Sequence, residues 1–280
     1  MFSLKILFRL ALLSLCLLSS FSLQAAKAGP CVVLEVADEE AEFNLLSQAS
    51  AGDACAQFNL GFRHYSLQEY SRAEHWYAKA AQQGNARAAF EIAILYRDDL
   101  LTNDAEQRQH WLQQAAEQGL DLAQIELALD YLDAQDQLSA MHWFEQAAVQ
   151  GNPQAQYLLG KQYWSDERGV EFAAEGDERA LRYSGSDAKA LYWTCLAAEQ
   201  DYPDAQYAMS EVYSTGRGLP PSRAQRRLWL QKAAANGHEE AILYADNSSE
   251  PWYSRTEQWL QNQVDRSVIS CPHDPLVLTQ

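Results

Sequence analysis

HWYAKAAQQG, residues 75–84, recurs as HWLQQAAEQG at 110–119, HWFEQAAVQG at 142–151, YWTCLAAEQD at 192–201 and LWLQKAAANG at 228–237. The tryptophans Trp76, Trp111, Trp143, Trp193 and Trp229 stand 35, 32, 50 and 36 residues apart. Self-similarity at such a period marks a helical-repeat array. In each copy the Trp is followed at i+4 by Ala80, Ala115, Ala147, Ala197 or Ala233, and then by a second Ala. Positions i and i+4 share one helix face. A large ring beside a small residue lets a neighbouring helix approach, and the Trp is expected to fill the gap.

Eight residues after each Trp stands Gly84, Gly119, Gly151, Asp201 or Gly237. Glycine just past a helix accepts the left-handed backbone that closes it, and Asp tolerates that conformation better than most residues. Each copy therefore reads as the end of one helix and its cap. A second helix follows. Four residues past the cap, counting the first from Gly52, stand Ala56, Ala88, Ala123, Ala155 and Ala205; eight past, Leu60, Ile92, Leu127, Leu159 and Met209; twelve past, His64, Tyr96, Tyr131, Tyr163 and Tyr213. Small, aliphatic and aromatic residues at steps of four make one buried stripe. The unit is a helix A, a loop, a helix B with its Trp, and a cap. One pair cannot bury its apolar face alone, but stacked pairs bury a continuous core.

YAMSEVYSTGRGLPPSRAQRRLWLQKAAANG, 207–237, resembles a Sel1-like repeat, a relative of the tetratricopeptide repeat. The family pattern runs A-x-x-x-L-G-x-x-Y, G-x-G-V and A-x-x-W-Y-x-x-A-A-x-x-G. It is matched by Ala155, Leu159, Gly160 and Tyr163, by Gly216, Gly218 and Leu219, and by Ala140, Trp143, Phe144, Ala147, Ala148 and Gly151. The resemblance covers roughly residues 52–238. It implies an all-α, right-handed superhelical solenoid, here of about five antiparallel helix pairs with capping helices at both ends. The first three A–B loops are short and lack the glycine signature. The fourth repeat carries an insertion at about 165–187, read as a projecting loop or short helix that either touches a partner or is a tolerated surface loop.

The ends differ from the array, which spans 53–238. Within the segment 29–52, Phe43 to Ala51 reads as a helix covering the first repeat. In 239–280 the stripe fails, with Ala245 and Ser249 at its positions, and Trp252 to Val264 reads as a closing helix before an irregular tail. Residues 1–28 have the layout of a secretory signal peptide: Lys5 and Arg9, an apolar run from Ala11 to Leu23, then Ala26-Lys27-Ala28 as a small-x-small cleavage site. The expected location is periplasmic or secreted, with no integral membrane segment after cleavage.

Cleavage removes Lys5, Arg9 and Lys27 and no acid, leaving 18 basic against 38 acidic residues, a formal charge of −20. Such a balance argues against nucleic acid or an anionic membrane as partner and favours a protein partner with a cationic segment, or simply solubility. Four cysteines remain, Cys31, Cys55, Cys195 and Cys271. An even number in an exported chain suggests two disulfides. Three connectivities are open; Cys31 with Cys55 and Cys195 with Cys271 would each tie a terminal segment to the array.

No G-x-S-x-G, H-E-x-x-H, phosphate-loop or dinucleotide motif is present. His75, His110 and His142 each precede a repeat Trp. Stacked repeats lie about 8–10 Å or more apart, too far for three such histidines to share one metal, so they read as structural. Neither a metal nor a cofactor is expected. What remains is a surface. Glu91, Asp98, Glu126, Asp130 and Asp133 lie beside the buried stripe of the second and third A helices, a candidate protein-binding ridge along the inner face or a solvated charge face. The resemblance implies a non-enzymatic scaffold or adaptor acting through the concave groove in a cell-envelope process. Two other roles come with it. One is β-lactam binding or hydrolysis, known in cysteine-rich relatives whose regular cysteine pair per repeat is lacking here. The other is a flagellar motor accessory.

Overall fold

The computed structural model describes residues 31, 39–101, 104–165 and 187–247. The expected signal peptide, most of the fourth-repeat insertion, the closing helix and Cys271 lie outside them. Among the described residues every regular element is an α-helix. Two compact units divide at residues 118 and 119.

The first unit holds α1 (Glu39–Ser50), α2 (Ala54–Ser66), α3 (Tyr70–Gln82), α4 (Ala86–Arg97) and α5 (Ala105–Glu117). The second holds α6 (Asp121–Asp133), α7 (Gln137–Val149), α8 (Pro153–Ser165), α9 (Asp187–Glu199), α10 (Pro203–Thr215), α11 (Arg223–Ala235) and α12 (Glu239–Asn247). Within each unit every helix packs on its neighbours in sequence. The A–B pairs are α2 with α3, α4 with α5, α6 with α7, α8 with α9 and α10 with α11. The fold class is all-α, a tandem array of helix pairs.

Local chemistry starts and stops these helices as the repeats imply. Asp53, Asn85 and Asn152 stand just before α2, α4 and α8, and their side chains accept from the backbone N–H of Ala56, Ala88 and Ala155. Gly84 closes α3 at φ 89°, with its N–H on Ala81 O and that of Asn85 on Ala80 O, the paired bonds that satisfy a helix's last carbonyls. Asp201 does the same at φ 61°. The short A–B loops that lack the glycine signature turn instead on Gln68, Asp99 and Gln135, each at positive φ.

The helix A stripe is buried at Ala56, Leu60, Ala88, Ile92, Ala123, Leu127, Ala155, Leu159, Ala205 and Met209. Helix B departs from the expectation. In the first three copies the side chain that fills the core is not the Trp but the next residue: Tyr77 is 1 % exposed, Leu112 2 % and Phe144 0 %. Trp76, Trp111 and Trp143 are half-buried. Only Trp193 and Trp229 occupy the core themselves. One residue is a turn of about 100° on a helix of 3.6 residues per turn, and within a unit helix B meets both its own helix A and the next pair. Opposite the buried ring stands a small residue: a Cβ at Gly61 would overlap the Tyr77 ring, and one at Gly160 would meet Thr194 Oγ1.

A ladder of buried glutamines also joins the helices. Gln57, Gln156 and Gln206 of the A helices donate through Nε2 to the carbonyls of Ala49, Ala148 and Ala198 in the helix before. Their Oε1 atoms accept from Gln83, Gln200 and Asn236 at the ends of the following B helices, and Gln124 accepts likewise from Gln150. The second repeat has Ala89 at this place, and Gln114 reaches Ala81 O instead, at 3.1 Å. Gln57, Gln156 and Gln206 each bridge three helices. Gln206→Leu removes bonds to Ala198 O, Asp201 and Asn236 and strands a buried carbonyl. It is expected to cost about 1–3 kcal/mol, read from denaturant midpoints of the purified protein, and an unchanged midpoint would mean that the bridge contributes nothing.

Candidate functional site

The five carboxylates named from the sequence fall on α4 and α6 and at their ends. In the first unit, Glu91 accepts from Arg87 Nε at 2.6 Å, one helical turn away, and Asp98, at the end of α4, accepts from Arg97 Nε at 3.0 Å. Both charges are locally compensated, so this part is not a bare acidic ridge. Nearby, Tyr96 donates to Glu74 at 2.6 Å. Burial, reinforced by that carboxylate, pushes the Tyr96 pKa up to about 12, so its hydroxyl stays protonated near neutrality. The Glu69 carboxyl lies below its ordinary range, chiefly because of its hydrogen bond with His64. A depressed carboxyl contributes stability above its ordinary pKa and loses it as pH falls through the folded value, so this contact weakens on acidification.

In the second unit, Glu126, Asp130 and Asp133 stand on α6 at i, i+4 and i+7, one face of a helix. Glu126 and Asp130 are half-buried beside the seam of Ala123 and Leu127, and Asp133 is exposed at the helix end. Glu126 and Asp130 are each engaged in the fold. This arrangement can receive cations along about two helical turns. It offers no nucleophile and no paired acid and base.

Cys31 and Cys55 form a disulfide, with Cα atoms 5.2 Å apart. Cys195, buried in α9, is also a disulfide cysteine; Cys271, its expected partner, lies outside the described residues. His75, His110 and His142 each lie edge-on to their own Trp, with centroids 5.5, 5.4 and 5.3 Å apart. Among the described residues no three His, Cys, Asp or Glu side chains are gathered for a metal, and no helix is long and apolar enough to cross a membrane.

Arg217, in the glycine loop before α11, donates to Asp187 at 2.9 Å and to Trp164 O at 3.2 Å. It therefore grips the chain on both sides of the fourth-repeat insertion. Three features were missed from the sequence. The glutamine ladder was passed over because Gln usually reads as a surface residue. A run of cations at 217–232 was passed over because the chain's overall charge is negative. Ser186-Asp187-Ala188-Lys189 spells S-x-x-K, the string of serine acyl-transfer enzymes. Lys189 lies 5.4 Å from the centre of the Tyr163 ring, and Ser186 lies outside the described residues.

The Sel1 repeat pattern matches residues 56–85, 86–120, 122–152, 153–171, 173–202 and 203–238. The fourth helix pair is matched in two pieces that part at residue 172, inside the insertion. The chain is similar to the solved structure of a protective antigen from uropathogenic Escherichia coli strains with an SLR fold, at 26 % identity and a TM-score of 0.62 over 80 % of this chain and 47 % of that one. The chain thus spans about half the length of that antigen. It is also similar to a Sel1 repeat protein from Oxalobacter formigenes, at 26 % identity and a TM-score of 0.56 over 70 % of this chain and 78 % of that one. No curated protein matches it.

Proposed function

The chain belongs to the Sel1 repeat family, and on that premise we propose that it is an exported, non-enzymatic adaptor that binds a protein partner in a cell-envelope process. Sel1 repeat proteins are typically scaffolds for protein–protein interaction. Stacked helix pairs bridged by buried glutamines form a preformed surface, and a rigid surface binds a segment at low ordering cost. The observation that carries the reading is the row of carboxylates on α6. Glu126, Asp130 and Asp133 share one face, which suits an extended or helical partner segment bearing Lys or Arg. Glu91 and Asp98 are paired with Arg87 and Arg97.

The test is in-cell crosslinking of the mature protein followed by mass spectrometry, wild type beside Glu126→Lys/Asp130→Lys/Asp133→Lys. Recovery of a specific basic partner is expected to fall at least about tenfold in the triple variant, which corresponds to about 1.4 kcal/mol of binding. A circular-dichroism melt that matches wild type keeps the loss attributable to the surface. Equal recovery from both proteins would take α6 out of the interface. Export is checked on the same sample, since a mature N-terminus at Gly29 is expected from the cleavage site.

A further inference from the structure

In the array α12 stands as a helix A, and no helix B follows it among the described residues. It packs on α11 and buries Ala241 completely, but the next two residues, Ile242 and Leu243, are 45 % and 64 % exposed. They stand five and six residues past the cap Gly237. At the fifth position the earlier A helices carry Gln57, Ala89, Gln124, Gln156 and Gln206, all buried. At the sixth they carry Phe58, Phe90 and Ile125, buried, then Tyr157 and Tyr207, half-buried. The cover there comes from the helix B of the same pair and the turn after it. Gln57 accepts from Gln83 at the end of α3, and the Phe58 ring lies 5.5 Å from that of Tyr77 on α3. Tyr207 stacks at 4.2 Å on His238, just past the cap of α11.

A match for that cover stands further along the chain, beyond the described residues. Trp-Leu-Gln occurs at 111–113 on α5, at 229–231 on α11, and once more at 259–261. Trp259 stands 22 residues past Gly237, much as Trp76 and Trp143 stand 24 past Gly52 and Gly119. Wound at 3.6 residues per turn, residues 252–264 would carry Trp252, Tyr253, Trp259, Leu260 and Val264 on one side, with Thr256 and Gln263 among them. Ser254, Arg255, Gln258, Gln261 and Asn262 would fall on the other. This is an apolar stripe with a polar back.

The reach of the segment is limited from both ends. It leaves α12 at Asn247 and comes 24 residues later to Cys271. Cys195 is a disulfide cysteine. With Cys31 joined to Cys55 and Cys16 inside the expected signal peptide, Cys271 is the partner left for it. Cys195 clusters with Trp229 of α11, the helix on which α12 packs. A segment tethered at both ends meets a nearby site at a high effective concentration.

We propose that residues 252–264 form the helix B of a sixth, terminal pair and cover Ile242 and Leu243 of α12 with Trp259 and Leu260. A solenoid needs its terminal repeat capped to stay soluble. A second copy of the chain is the competing occupant, since an exposed apolar end also suits end-to-end stacking. The chain's own segment is favoured because it carries the repeat's residues at the repeat's spacing and is tied down beside the face. This cap forms whether or not α6 binds a partner.

The full mature chain is compared as wild type, Ile242→Ser/Leu243→Ser, Trp259→Ser/Leu260→Ser and the quadruple variant. Each double variant is expected to lower the melting temperature by at least about 4 °C. The quadruple variant should fall no further than the larger of the two, because both pairs remove one contact. Amide hydrogens of residues 242–247 should exchange at least about tenfold faster in Trp259→Ser/Leu260→Ser than in wild type, and light scattering should give a wild-type monomer. Leu243→Ala trims one side chain, so it stays informative if a double variant fails to fold, and it should still lower the melting temperature by about 2 °C. Additive shifts, unchanged exchange in α12, or a Leu243→Ala melt equal to wild type would overturn the proposal. So would a wild-type dimer that Leu243→Ala splits, which would give the face to a second copy.

Discussion

Phe144→Ala is expected to destabilise the second unit by about 3–5 kcal/mol, the usual cost of emptying a ring-sized core site, while Trp143→Ala costs clearly less. Phe144 is 0 % exposed in a cluster with Ala128, Ala140, Leu159, Tyr163 and Trp193. Trp143 packs against that cluster only in part. In the last pair the order reverses. Trp229 is 2 % exposed against Cys195, Ala205 and Met209, and Leu230 after it is half-buried. Trp229→Ala should therefore cost about 3–5 kcal/mol, more than Leu230→Ala. The Trp229 indole N–H is buried without a partner, so Trp229→Phe should recover much of the loss. Denaturant unfolding of the four alanine variants reads both orders. A Trp143→Ala variant as unstable as Phe144→Ala would mean that burial does not rank the two rings.

The second large effect concerns the first unit. The Cys31–Cys55 disulfide closes a sequence separation of 24 residues. Loop-closure entropy for a ring of that size is about 3 kcal/mol. Cys31→Ser/Cys55→Ser should lose about that much stability, and reduction of the wild type with dithiothreitol should lower its melting temperature to the same place. A melting temperature indifferent to reductant would show that the bridge ties down a segment the fold does not need. The bond also holds Cys31 where Asn85 reaches its sulfur at 3.3 Å, so its loss should loosen the start of α4 as well as α2.

Some of the molecule was legible because it is local. The step of four from Ala56 to Leu60, or from Ala155 to Leu159, marks a helix face wherever the helix is placed. Gly84 and Asp201 close helices through their own backbone conformations. Cys31 and Cys55 are joined where an N-terminal segment needs tying to the array. The compensation of Glu91 by Arg87 was also within reach, since four residues separate them.

What the sequence could not settle depends on two neighbours at once. Trp143 and Phe144 are adjacent in the chain and both apolar. Which of them enters the core is decided by how closely α6 and α8 approach the two sides of α7. Gln156 and Gln206 look like solvent-facing residues until the carbonyl of the preceding helix and the amide of the following one arrive to pair with them. The charge of α11 was in plain view in the sequence, but that no carboxylate among the described residues meets Arg223 or Arg226 is a property of the packed helices. Periodicity, capping and repeat number are written in the chain because they arise from one helix at a time. Burial order and the partners of the buried glutamines appear only with tertiary structure, because each requires the surfaces of several helices to meet.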